Sequence, residues 1–106
     1  MAIAQVTIVP IGTGSTSLSD YVADLFRVLE QEAAGLRYEL TPMSTIIEGE
    51  LDDILRVIRH MHEAPFLQGA LRVSTSITID DRRDKKGSMQ QKLESVERKL
   101  GGGTEA

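Results

Sequence analysis

Residues 3–9 (IAQVTIV) are a β-branched run that stops at Pro10, and they predict a first strand. The stretch PIGTGSTS that follows is rich in turn formers. From Leu18 the period changes. Leu18, Val22, Leu25 and Leu29 recur at three- and four-residue steps, which predicts a helix over 18–34. Ser17 with Asp20 three residues later is close to a capping box, and Gly35 followed by Leu36 supplies a left-handed stop. A short strand over 36–40 breaks at Thr41-Pro42, and 43–49 (MSTIIEG) predicts a third strand. Leu51, Ile54, Leu55, Ile58 and Met61 form the stripe of a second helix, expected to end before Pro65. Over 69–80 the alternation is nearly complete, with Leu71, Val73, Thr75, Ile77 and Ile79 set against Arg72, Ser74, Ser76, Thr78 and Asp80. That is a long strand with one dry face and one polar face. Met89, Leu93, Val96 and Leu100 predict a third helix over 89–100, and GGGTEA (101–106) has no pattern and reads as a flexible tail.

The order is β-α-β-β-α-β plus a C-terminal helix. Right-handed crossovers turn this into an α+β, ferredoxin-like domain over 1–100: an antiparallel four-stranded sheet with two helices on one face. The other sheet face is then left uncovered. On it fall Gln5 and Thr7 of the first strand, Ser44, Ile46 and Glu48 of the third, and Arg72, Ser74, Ser76 and Thr78 of the last. A semi-polar surface of this kind is expected to pack against a second copy of the chain, and the long last strand offers an edge for pairing with its copy.

Composition narrows the field. At 106 residues there is room for one core only. A net charge of −4 and an aromatic content of 4% argue against nucleic acid as the main partner. With no cysteine, disulfides, thiolate catalysis and Cys-based zinc sites are excluded. The first residues carry no basic segment of a signal peptide, and no apolar run reaches the roughly 20 residues of a membrane span. A cytoplasmic protein, with neither membrane nor nucleic acid as partner, is expected.

Candidate chemistry is sparse. GTGSTSLSD (12–20) opens a helix with glycines and hydroxyls, which suits either a polar ligand group or a plain N-cap; it lacks the lysine of a phosphate-binding loop. His60 and His62 sit two residues apart on a helix, about 200° around its axis, and cannot share one ion. Glu48 and Arg72 have two readings, a cross-sheet ion pair and a ligand clamp. Met43 is either a pocket wall or a gap filler. The run Asp80–Lys86 reads as a solvated loop, or else as a source of salt bridges between subunits. No acid–base pair or nucleophile stands in a recognisable setting, so the protein is not expected to be an enzyme, and no cofactor or metal is called for.

Several blocks together carry a resemblance: VPIGTGSTSLSDYVA (9–23), YELTPMSTIIEGELDDI (38–54), the His62-Glu63 pair, GALRVSTSITIDDRRD (69–84) and KLESVERKL (92–100). In this order they resemble the small thiamine-binding protein family, relatives of the YkoF proteins. The resemblance implies a ferredoxin-like fold, homodimers or dimers of dimers (homotetramers), and binding of thiamine or its hydroxymethylpyrimidine moiety. Carried over by position, it points to Gly12, Ser15 and Ser17, to Pro42, Met43, Thr45, Glu48 and Gly49, and to Arg72 and Asp80; Ser44 stands where the commonest family pattern has glycine. The implied ligand-binding set is Ser15, Ser17, Met43, Thr45, Glu48 and Arg72. Glu48 would offset the thiazolium charge or accept from the pyrimidine amino group, hydroxyls would meet ring nitrogens, and Met43 with Ile46 or Ile47 would supply apolar walls. Any stacking ring would come from Tyr21, Phe26, Tyr38 or a neighbouring subunit. The alternative is a structural homo-oligomer that uses the same polar residues in subunit contacts and takes no small ligand.

Overall fold

The computed structural model describes residues 1–14, 18–84 and 89–102. Its elements are β1 (Ala2–Pro10), α1 (Ser19–Glu32), β2 (Arg37–Leu40), β3 (Thr45–Gly49), α2 (Leu51–Leu67), β4 (Val73–Asp81) and α3 (Met89–Gly102). The strands form one sheet in the order β2-β3-β1-β4, and every neighbouring pair is antiparallel. This is the α+β, ferredoxin-like arrangement that the element order implies.

Register follows hydrophobicity. Ala4 of β1 lies between Ile47 and Ile79, and Val6 lies between Thr45 and Ile77, so these residues share the helix-covered face. Ala2, Ala4 and Val6 are almost fully buried, and their small size lets two helices settle over the central strand. From α1 come Leu25 and Leu29; from α2 come Ile54, Val57, Ile58 and Met61. Burial of each large aliphatic side chain in that layer stabilises the fold by roughly 1.5–3 kcal/mol.

Three of the boundaries that differ from the sequence expectation do so for a clear local reason. α2 runs through Pro65 to Leu67 instead of stopping before the proline. Pro65 lies in the last turn, where it removes a single hydrogen bond, and its carbonyl accepts from the amides of Gln68 (3.1 Å) and Ala70 (3.0 Å). β4 begins at Val73, because Gly69 at φ 102° and Ala70 belong to the turn that ends α2. Leu71, expected on the dry face of this strand, is consequently 95% exposed. β3 begins at Thr45 because Thr41 closes a tight turn. Its hydroxyl accepts from the amides of Ser44 (3.0 Å) and Met43 (3.3 Å), while its own amide donates to the Ser44 carbonyl (2.8 Å). α1 ends at Glu32, two residues short of the expected end, and Gly35 takes φ 83° in the turn that follows. Leu18 is the N-cap of α1 and makes no side-chain capping bond, and Ser17 of the expected capping box lies outside the described residues.

α3 does not join the layer of α1 and α2. Its Leu93 and Val96 line a cleft together with residues of the opposite sheet face, so that face is covered at one end by the chain's own helix. The sequence reading left the face without any helix. Leu93, Val96 and Leu100 remain 63%, 53% and 77% exposed. The radius of gyration is 16.2 Å, against about 13 Å for a compact domain of this length, as expected when one helix leans out from the body. α3 also continues to Gly102, into the stretch read as a tail; residues 103–106 lie outside those described.

Candidate functional site

The face away from α1 and α2 is ordered in rows across the four strands. One row runs Glu39, Ile46, Gln5, Thr78, and the next runs Arg37, Glu48, Ile3, Asp80. Alternation puts these side chains on this side of the sheet, because their strand neighbours Tyr38, Ile47, Ala4 and Ile79 face the helices. All of the first row and, from the second, Ile3 and Asp80 form the floor of an open cleft of about 360 Å³. Leu93 and Val96 of α3 close one side. The volume lies within the range of small-molecule sites.

The chemistry of this cleft is specific. Ile3, Ile46, Leu93 and Val96 give apolar surface, Gln5 and Thr78 offer donors and acceptors, and Glu39 and Asp80 bring carboxylates. Glu48, 7% exposed, lies in the row between Arg37 and Ile3. Just past the cleft, Asp81 ends β4 and accepts from the Arg83 guanidinium at 2.8 and 3.0 Å. That hydrogen bond holds the Asp81 carboxyl below the usual carboxylate range. Arg82 is bound in the same way by Asp84 at 2.6 Å, which pushes its pKa up. The arginines of the Asp80–Lys86 run are therefore held by local carboxylates; residues 85 and 86 lie outside the described part.

The residues singled out from the sequence do not converge. Met43 is 82% exposed at the tip of the β2–β3 turn, where its carbonyl accepts from the Thr7 hydroxyl at 3.4 Å. Thr45 is buried on the helix-covered face, opposite Val6. Arg72 precedes β4, and its carbonyl accepts from the amide of Ile11 at 2.8 Å. Glu48 lies beside Ile3, so eight residues of β1 separate its level from that of Arg72, roughly 26 Å along a strand. A cross-sheet ion pair between Glu48 and Arg72 is thus ruled out; the register partner of Glu48 on β2 is Arg37. Ser15 and Ser17 lie outside the described residues. Of the two isoleucines considered as walls, Ile46 lines the cleft and Ile47 is fully buried in the core. Phe26 and Tyr38 pack edge to face at 6.4 Å, Tyr38 opposite Ile47 on the helix side, so neither offers a ring to the cleft.

Sequence reasoning did not assign Glu39, Leu93 or Val96 to a site. The signal for α3 was its apolar stripe, which had no stated destination. The histidines are engaged elsewhere: Nδ1 of His60 is 3.3 Å from Glu32, and Nδ1 of His62 is 2.7 Å from the Thr75 hydroxyl. Among the described residues no three His, Asp or Glu groups come together as metal ligands.

Comparison with known proteins places the chain in a family. The model of the family described as thiamine-binding protein matches residues 4–97. The chain belongs to that family. The UPF0045 protein YqgV of Bacillus subtilis is 56% identical over 102 residues, covering 94% of this chain and 98% of the relative. Among solved structures, the hypothetical protein MJ1052 of Methanocaldococcus jannaschii superposes with a TM-score of 0.78 at 34% identity, over 90% of this chain and 94% of that one. A Thermotoga maritima protein with a proposed role in thiamine biosynthesis or salvage shares the fold, with a TM-score of 0.67 at 22% identity, over 90% and 97% of the two chains.

Proposed function

We propose that this thiamine-binding family member is a non-enzymatic, cytoplasmic binding protein whose ligand is thiamine or its hydroxymethylpyrimidine moiety. The cleft on the open sheet face carries the reading. It joins an apolar floor to two carboxylates and two neutral hydrogen-bonding groups in about 360 Å³. A cationic thiazolium is offset by Glu39 and Asp80, and an aminopyrimidine edge is met by Gln5 and Thr78. Family membership and the name given to the Thermotoga protein support the same ligand class. No helix among the described residues is long and apolar enough to cross a membrane. The direct test is calorimetry of the full chain with thiamine and with hydroxymethylpyrimidine. Saturable binding of either is expected, and the absence of heat at millimolar ligand would defeat the proposal.

A second reading, a homodimer or dimer of dimers that uses the open face for subunit contacts, is favoured by one observation. Leu93, Val96 and Leu100 leave an apolar stripe of α3 more than half exposed, and a sister chain would cover it. The two readings are compatible if the cleft stays open in the assembly. Sedimentation of wild type beside Leu100→Ser tests the second: dissociation of the variant supports it, and a monomeric wild type ends it.

A further inference from the structure

We propose that the cleft binds the analogue of thiamine whose pyrimidine carries an oxo group in place of the amino group (oxythiamine) as well as thiamine itself, an inference that rests on the thiamine reading above. The two neutral groups that meet the ring decide it. Gln5 and Thr78 are register partners on β1 and β4, and both line the cleft. Both are exposed, and among the described residues neither side chain has a hydrogen-bond partner. Thr7, the next residue of β1 on the same face, differs: its hydroxyl donates to the Met43 carbonyl at 3.4 Å. Beside Gln5 stand Ile46 on β3 and Ile3 on β1, and neither can hold an amide in one orientation.

The ring edge of thiamine sets an amino donor beside a ring-nitrogen acceptor. In the oxo analogue the order is reversed, with a carbonyl acceptor beside an N–H donor. A glutamine amide carries an oxygen acceptor and an NH2 donor, and a half-turn about its last bond exchanges them. The Thr78 hydroxyl rotates to donate or to accept. Sites that reject a mismatched analogue by orders of magnitude do so because fixed, buried groups are left unpaired. Here an unlocked amide pairs again after one rotation, so the reversal carries little penalty. Both compounds bear the same thiazolium charge, so Glu39, Asp80 and every other charge around the cleft attract or repel them alike. A carboxylate placed at the ring edge would behave differently, because it only accepts and would demand the amino group.

The test is calorimetry of the full chain with thiamine and with oxythiamine. The two dissociation constants are expected to lie within about threefold of each other. Gln5→Leu, at an exposed position outside the core, should weaken both compounds by about fivefold and leave their ratio unchanged. A wild-type preference for either compound beyond about threefold overturns the inference and leaves the thiamine reading intact. Such a preference for thiamine, if abolished by Glu39→Gln, would assign the ring edge to the carboxylate instead. The inference also falls if Gln5→Leu leaves both affinities as they were, since Gln5 would then not touch the ring. It falls as well if that variant weakens one compound and spares the other. If neither compound binds, the inference falls together with the thiamine reading.

Discussion

The two faces of the sheet use the same strands for opposite ends. On the helix side β1 presents Ala2, Ala4 and Val6, nearly sealed from water; on the other side it presents Ile3, Gln5 and Thr7. β3 repeats the contrast in adjacent residues, for Ile47 is fully buried while Ile46 lines the cleft. The helix side holds most of the free energy of folding. The cleft side is loosely roofed by a helix whose own stripe is more than half exposed. On the proposed function, stability and recognition fall to alternate residues of one strand and are separable by mutation.

The sharpest way to break this contrast is to cut the two isoleucines of β3 in turn. Ile47→Ala should lower unfolding free energy by about 2–5 kcal/mol in urea titrations, since a sealed core leaves a cavity. Ile46→Ala should cost under about 1 kcal/mol of stability yet weaken thiamine binding by about 5–20-fold, the effect of losing three partly buried side-chain carbons at about 0.8 kcal/mol each when fully buried. Equal stability losses at both positions would erase the distinction between the faces. Next comes the turn that aligns β3: Thr41→Val should cost about 1 kcal/mol in thermal unfolding, because two backbone amides lose their acceptor. The smallest effect belongs to Arg83→Ala. The guanidinium lowers the folded-state pKa of Asp81, so its contribution is present above the usual carboxylate range and is lost as pH falls through the lowered value. The difference in melting temperature between wild type and variant should be slight at pH 7 and absent in strong acid; a difference that grows on acidification would contradict the sign.

Much of the fold is legible in the sequence because it depends on local periods. Leu25 and Leu29 announce α1, the alternation of β4 fixes its face, and Gly35 marks a stop that only its left-handed φ requires. The open-face set of Gln5, Ile46, Glu48 and Thr78 also follows from alternation and agrees with the register. The cleft is less legible. Its carboxylate Glu39 comes from a four-residue edge strand, and its side wall comes from a helix nearly fifty residues further along the sequence. Only the path of α3 brings the two together, and no period encodes that path. The polar character of the stretch from Thr41 misled for a similar reason. The Thr41 hydroxyl and the Ser44 backbone are spent on the turn that precedes β3. Thr45 has a hydroxyl as well, but the strand's alternation turns it toward the helices.

The central claim is that recognition takes place on the two rows of the open face, and a backbone amide NMR titration with thiamine tests it most directly. Shifts concentrated at Gln5, Glu39, Ile46 and Thr78, with the β2–β3 turn and the helix side quiet, are the expected result. Shifts gathered instead around Met43 and Arg72, the latter six β1 residues or roughly 20 Å by strand rise from the Gln5 row, would contradict it.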